Sequence, residues 1–203
     1  MRIYLFRHGE TDWNKARRLQ GQSDIPLNEA GRELAMQTGE ALKDIPFDRA
    51  FCSPLRRALE TAQILIRGRE ILLEADSRLM EMCFGSFEGG EYDTAREQES
   101  WHPLHDFFHS PENYVPPEGA ESFQDVIERG RAFLQERIVP LEASCENILI
   151  AAHGALNRAI LCTVADIPLK RFWEIKLPNC AASILELRQG RFHIAEESRI
   201  FYH

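Results

Sequence analysis

The chain has 203 residues, 44% of them hydrophobic, with 24 Lys or Arg against 32 Asp or Glu, a formal charge of -8 and a pI near 5.4. This length can bury one sizeable core and leaves little room for two, so a single domain over residues 1–203 is expected. The acidic balance argues against nucleic-acid and anionic-membrane partners, which are met through basic surface.

Met1 to Phe6 runs straight into Arg7-His8-Gly9-Glu10, with no room for the charged and apolar regions of a secretory leader. The longest apolar runs, such as 148–152, fall far short of the roughly 18 to 20 residues that span a bilayer. A soluble, cytoplasmic protein is expected. Cys52, Cys83, Cys145, Cys162 and Cys180 are odd in number, far apart and form no C-x-x-C pair, the pattern of free thiols.

In chain order, Arg2-Ile3-Tyr4-Leu5-Phe6 is a β-branched and aromatic run that suits a buried first strand. Asn28 is placed to cap a helix with Ala30, Leu34, Thr38, Ala41, Leu42 and Ile45 on one face, ended by Pro46. Asp48–Cys52 reads as the second strand. Ser53-Pro54 then predicts a helix start, Ser at the cap and Pro at the first helical position, with Leu55, Ala58, Leu59, Ala62 and Leu65 in the helix. Residues 70–74 predict a third strand.

From Gly89 to Gly119 the pattern dissolves into Gly, Pro, acidic residues and aromatics, among them Trp101, Phe107, Phe108 and Tyr114. This predicts an excursion or lid at about 89–120. Ser122 opens an amphipathic segment with Phe123, Val126, Ile127, Gly130, Leu134 and Ile138 at helical spacing, followed by a fourth strand at 148–152. A helix near Leu156 to Val164 precedes two apolar runs, 181–187 and 192–195, joined by Gln189-Gly190 as a hairpin. Strands alternating with helices predict an α/β fold, a three-layer α/β/α sandwich with a mainly parallel sheet. Ligands in such sheets bind beyond the carboxyl ends of the strands, where His8 and His153 both fall.

Phosphoryl transfer requires a doubly charged group to be held still, its oxygens stabilised, and an in-line nucleophile supplied. Arg7-His8-Gly9-Glu10-Thr11 offers a guanidinium, an imidazole and a glycine at a strand end. The segment from Ser53 to Ala62 places Arg57 in the first turns of a helix, whose N–H groups would also favour an anion. Ala152-His153-Gly154 repeats the pairing of histidine and glycine after a buried strand.

In order and spacing these motifs resemble the histidine phosphatase superfamily, the phosphoglycerate mutase-like fold, over most of the chain. The opening block continues through Trp13-Asn14 into Gln20-Gly21, Asp24, Pro26-Leu27 and Gly31. The later blocks are Ser53-x-Leu55-x-Arg57-Ala58-x-x-Thr61-Ala62, Leu79-x-Glu81-x-x-Phe84-Gly85-x-x-Glu88-Gly89, Gly119-x-Glu121-Ser122 and His153-Gly154-x-x-x-Arg158. The resemblance implies that His8 is a nucleophile that becomes phosphorylated, with Arg7, Arg57 and His153 forming a positive cradle around the phosphoryl group. It implies that Asn14 adds a side-chain hydrogen bond, that Gln20, Gly21, Gly154 and Ala155 line the substrate site, and that Glu81 protonates the leaving alkoxide. No metal and no cofactor are implied.

The implied substrate is a small phosphomonoester, with α-ribazole phosphatases, sugar-phosphate phosphatases and broad-specificity enzymes among the similar proteins. Ala152, Ala155, Cys83 and Phe87 depart from the family pattern, which bears on substrate identity more than on mechanism. Two other readings stand beside this one: a cofactor-dependent phosphoglycerate mutase, and a non-catalytic module that binds a phosphorylated ligand. The second has no need of a proton donor. Oligomeric state is not readable, since no heptad run is present.

Singly, these residues have ordinary readings: a strand-end histidine, a surface arginine, an exposed carboxylate. Arg56 reads as a surface residue and Glu88 as structural. His102, His105 and His109 lie close together but lack an H-E-x-x-H or Cys pattern, so no metal site is expected. The aromatics of 89–120, with Trp13 and Tyr92, read equally as a lid over the substrate alcohol or as core packing.

Overall fold

The computed structural model describes residues 1–91 and 104–202. One sheet runs through it, built from β1 (Arg2–Arg7), β2 (Arg49–Cys52), β3 (Leu73–Ala75), β4 (Asn147–Ala152), β5 (Ala182–Arg188) and β6 (Arg191–Arg199) in the order β3-β2-β4-β1-β5-β6. The first four of that order are parallel; β5 runs antiparallel to β1, and β6 antiparallel to β5. The aliphatic runs predicted at 2–6 and 148–152 occupy the centre because a strand covered on both faces must be apolar on both.

The helices are α1 (Asp12–Lys15), α2 (Glu29–Ala41), α3 (Arg56–Leu65), α4 (His105–His109), α5 (Phe123–Phe133) and α6 (Gly154–Ala165). Alternation along the strands sends Ile3, Leu5, Phe51, Ile148 and Ile150 to one face, against Phe123, Val126 and Phe133 of α5 and Leu156 and Ile160 of α6. Tyr4, Phe6, Ala50, Leu149 and Ala151 face the other way, against Ala62 and Leu65 of α3 and Leu42 beyond α2. This is the predicted three-layer sandwich.

Four local expectations need correction. Asn28 does cap α2, accepting the Gly31 N–H at 2.8 Å, but Ala30 and Ala41 are exposed while Gly31, Ala35 and Thr38 are buried. The small-residue face turns inward because the backbone of the 8–10 loop lies against it: a Cβ on Gly31 would sit 2.1 Å from the Glu10 carbonyl oxygen. The helix predicted to start at Ser53-Pro54 instead begins at Arg56, with Leu55 at its cap. Asp24, remote in sequence, accepts the Arg56 N–H at 2.7 Å and so does the capping that Ser53 was expected to do.

The third strand lies at Leu73–Ala75, where it pairs with Ala50–Cys52, and Leu72 before it is 56% exposed. The hairpin forms as predicted, with Gln189 and Gly190 both at positive φ (53° and 73°); its first strand, 182–188, is shifted by one residue from the apolar run, and its second, 191–199, is longer than the run 192–195.

Of the excursion, residues 104–120 return to the core. Phe107 is 1% exposed and packs against the rings of Phe84, Tyr114, Phe123 and Trp173, and Trp173 Nε1 donates to the Phe107 carbonyl at 2.6 Å. Tyr92, Trp101 and His102 lie outside the described residues. Ser122 forms a reciprocal capping box with Asp125, and α5 passes into a π-helical turn at Leu134–Ile138. Among the described residues no helix is long and apolar enough to cross a membrane, and no group of three or more potential metal ligands gathers.

Candidate active site

Strands β1 and β4 are neighbours in register, Arg7 opposite Ala152, so the residues that follow them, His8 and His153, leave the sheet side by side. The His8 N–H donates to the Ala152 carbonyl at 2.9 Å, and the two ring centroids are 5.2 Å apart. Both residues are buried, at 2% and 0% exposure. His8 Nδ1 lies 2.6 Å from the Gly9 carbonyl oxygen. A carbonyl can only accept, so Nδ1 carries the proton and Nε2 keeps its lone pair. Burial holds His8 well below the usual histidine range, and the charges of Arg57 and Arg7 add to this. His153 is lowered by burial, then by Arg57, and neither of its ring nitrogens has a hydrogen-bond partner among the described residues.

Arg57, in the first turn of α3, is fully buried, and its two terminal nitrogens donate to the Gly21 and Ser23 carbonyls at 2.7 and 2.8 Å. Its Nε has no partner among the described residues. Burial brings its pKa down to about 10, with Glu81, Asp24 and Glu88 acting in the opposite direction, so it stays charged at neutral pH. Arg7 is half-buried and anchored through Nη1 to the Leu177 carbonyl at 2.7 Å. Asn14 shares a capping box with Thr11, whose N–H and hydroxyl both donate to its amide oxygen at 3.1 Å, leaving the amide N–H groups for other acceptors.

Glu81 is half-buried, and its carboxylate accepts the N–H groups of Met82 (3.0 Å), Ala155 (3.1 and 3.2 Å) and Leu156 (3.1 Å). Helix α6 has no side-chain cap from His153, so Glu81 caps it across the site. This amends the expectation that the helix bearing Arg57 presents its N–H groups to an anion: Asp24 takes the one at Arg56, and the helix that opens on the site is α6.

A cavity of about 270 Å³ is lined by Arg7, His8, Asn14, Gln20, Gly21, Arg57, Glu81, Gly154 and Ala155, nine of the ten residues singled out from the sequence. The tenth, His153, sits behind the lining with its ring against His8. Arg18, Leu19, Phe84, Phe107, Phe108, Arg158 and Trp173 complete the wall. A larger groove of about 710 Å³ opens at the other end of the sheet, near Met1, Asn147 and Glu186, but the buried imidazoles are not there.

A family model for the histidine phosphatase superfamily, branch 1, matches residues 3–198. The chain belongs to this superfamily. A relative from Erwinia tasmaniensis, named "Probable phosphoglycerate mutase GpmB", is 33% identical over 191 residues, covering 94% of this chain and 86% of the relative. The solved structure of YhfR from Bacillus stearothermophilus is 36% identical with a TM-score of 0.89, covering 98% of this chain and 97% of that one. The α-ribazole phosphatase from Shigella flexneri is 25% identical with a TM-score of 0.85, covering 100% and 98%.

Several residues that hold this histidine phosphatase site together were not singled out from the sequence. Asn179 Nδ2 donates to the His8 and Gly9 carbonyls at 2.9 and 3.2 Å, and Thr61 Oγ1 accepts the Gly9 N–H at 3.0 Å. Glu88, read as structural, accepts the N–H groups of Gln22, Ser23 and Phe84 and the Ser23 hydroxyl, joining the 20–23 loop to the Glu81 loop. Gly21, at φ +50°, is required there, since a Cβ would lie 2.1 Å from the Glu88 carboxylate. Thr61 and Glu88 fell within the family blocks. Asn179 carried no signal in the sequence.

Proposed function

We propose that the chain is a metal-independent phosphomonoesterase acting on a small phosphorylated metabolite through a phosphohistidine on His8. The observation that carries this reading is the His8 Nδ1 contact to the Gly9 carbonyl, which leaves Nε2 unprotonated on a nucleophile that lines the cavity. In the first step Nε2 attacks phosphorus, the bond to the alcohol oxygen breaks, and Glu81 gives that oxygen its proton. In the second, water attacks phosphorus, the P–N bond breaks, and Glu81 takes the proton from water. Arg57, Arg7 and His153 meet the charge on the phosphoryl oxygens, with Asn14, Gln20, Gly21, Gly154 and Ala155 around them. Residues 1–203 serve this reaction as one unit, and 89–120 contributes Phe107 and Phe108 to the alcohol side.

His8→Ala is expected to lower turnover of p-nitrophenyl phosphate by about 10⁴-fold or more, the scale on which loss of a nucleophile is felt. The wild-type protein, quenched during turnover, should yield an acid-labile phosphoenzyme, and EDTA should leave its rate intact. Full activity of His8→Ala sinks the reading.

The Erwinia relative's name favours a second reading, a mutase that returns the phosphoryl group to the substrate. The two differ in what accepts the phosphoryl group from His8 when the P–N bond breaks. Incubation with 3-phosphoglycerate and its bisphosphate primer separates them: free phosphate without isomerisation supports the hydrolase, isomerisation without free phosphate the mutase.

A further inference from the structure

The carboxyl assigned to proton transfer stands on a stretch that has no regular structure of its own: residues 81–84 belong to no helix or strand. From the cavity side Gln22 Nε2 donates to the Glu81 carbonyl at 3.2 Å and Glu88 accepts the Phe84 N–H at 3.1 Å; from the core side the stretch is held by Arg129, which projects from α5. All five of its N–H bonds are used. Nε and one Nη2 bond go to the two oxygens of Glu121, at 2.8 and 3.0 Å. The other three go to backbone carbonyls: Nη1 to Arg78 and Met80 at 2.8 and 2.6 Å, and Nη2 to Glu81 at 3.1 Å. Glu121 closes the clamp, since its carboxylate accepts the Cys83 N–H at 2.8 Å and its own N–H donates to the Cys83 carbonyl at 3.0 Å.

From this geometry we infer that Arg129, with Glu121 as its counter-ion, is the positioning residue for the Glu81 carboxyl. The inference rests on the reading of Glu81 as proton donor. Arg129 does not line the cavity, and its contacts bracket Glu81 from residue 78 to residue 83. Slack in this loop bears directly on proton delivery, because a carboxyl displaced by about 1 Å loses its hydrogen-bond contact with a leaving oxygen. The Arg–carboxylate pair is largely shielded, with side chains 16% and 21% exposed. A lysine brings three donors from a single nitrogen where this guanidinium spreads five over a planar fork, so charge alone does not reproduce the clamp.

The test compares two substrates of the full-length protein. p-Nitrophenyl phosphate loses a stable anion and needs little help from a proton; 2-phenylethyl phosphate loses an alkoxide and needs the proton in the transition state. The readout is kcat/KM, which reports the steps up to departure of the alcohol. Glu81→Gln and Arg129→Met are each expected to lose about 100-fold on the alkyl substrate and less than about threefold on the aryl one, since general acid catalysis is worth about 10²-fold or more. Arg129→Lys should follow Arg129→Met, and inhibition by inorganic phosphate should change little in all three.

If Glu81→Gln shifts the ratio of the two substrates and Arg129→Met does not, whether both rates are kept or both fall equally, the inference is overturned. Equal falls would also fit a general disturbance through the Arg129 charge, which acts on His153 as well. If Glu81→Gln itself leaves the ratio unchanged, the proton-donor reading fails and takes the Arg129 role with it. Should Arg129→Met not fold by circular dichroism, Glu121→Gln decides instead: it keeps the shape, and is expected to shift the ratio by about tenfold in the same direction. No shift there overturns the inference.

Discussion

On the side of the cavity that we propose takes the phosphoryl group, His8 and His153 stand at the ends of paired strands and Arg57 in the first turn of a ten-residue helix, each 2% exposed or less. On the side proposed for the alcohol, Glu81 stands on an irregular stretch, while Phe107 and Trp173 belong to a five-residue helix and a short 3-10 turn. The first arrangement is fixed by backbone register. The second is fixed by side chains reaching across: Arg129 to the Glu81 loop, Trp173 Nε1 to the Phe107 carbonyl. A phosphoryl group is the same in every substrate and suits a site set by the sheet, whereas the alcohol varies and meets the part of the protein that loops and single contacts can re-shape.

The sharpest way to break that comparison is at Arg57. Arg57→Met is expected to lower kcat/KM for p-nitrophenyl phosphate by about 10³-fold, the scale on which a preorganised charge stabilises a transition state. Stability should fall by about 1–3 kcal/mol, because the Gly21 and Ser23 carbonyls lose their donors, a loss that relief of the buried guanidinium's desolvation offsets in part. Arg56→Met, one residue away and exposed, should change kcat/KM less than about twofold. Equal effects at the two positions, measured with thermal melts of each variant, would remove the distinction between a rigid cradle and its surroundings.

The second prediction concerns protons. Both histidines are held well below 6.5 in the folded protein, by burial first and by Arg57 next. Below pH 6.5 the unfolded chain takes up protons that the folded cradle refuses, so stability is fully present above 6.5 and declines as pH falls toward the folded pKa values. Each histidine contributes a limiting slope of about 1.4 kcal/mol per pH unit. Urea unfolding between pH 7.5 and 5.5, without phosphate or other anions that would bind the cradle, should show this decline, and His153→Gln should flatten it. Arg7, Arg57 and Glu81 line the cavity with His8, and the charge of Arg129 reaches His153 from behind, so an unchanged slope in the variant would place the proton uptake elsewhere.

Legibility in the sequence followed the same division. The central strands were readable because burial on both faces writes continuous apolar runs, and once β1 and β4 are parallel neighbours, the juxtaposition of His8 and His153 follows. Nine of the ten proposed residues line one cavity for that reason, together with the family's motif order. The supports were not legible. Asp24 caps α3 from a loop 32 residues earlier, and a local rule therefore placed the helix start at Ser53. Arg129 sits at a polar position of an amphipathic helix, where a charge reads as solvated surface. Its clamp is made with backbone carbonyls, which every residue possesses, so nothing in the partner segment announces it. The second strand of the hairpin ran past its apolar residues because β6 is an edge strand with a largely exposed, polar pattern.

The smallest effect is expected on the alcohol side, at Trp173→Phe. The substitution keeps an aromatic ring among Phe107, Phe123 and Phe172 and removes the Nε1 donor, leaving the Phe107 carbonyl without that bond. A hydrogen bond of this kind contributes about 1 kcal/mol net to stability. It also ties α4 to the 3-10 turn across the wall formed by Phe107, Phe108 and Trp173, and the Arg158 guanidinium rests 4.9 Å above the Trp173 ring. Loosening that tie should raise KM a few-fold for a bulky substrate such as 2-phenylethyl phosphate and leave inhibition by inorganic phosphate, which engages only the cradle, unchanged. If phosphate affinity fell together with the bulky substrate's, the two sides would be mechanically one, and the separation of a sheet-fixed cradle from an adjustable alcohol wall would be wrong.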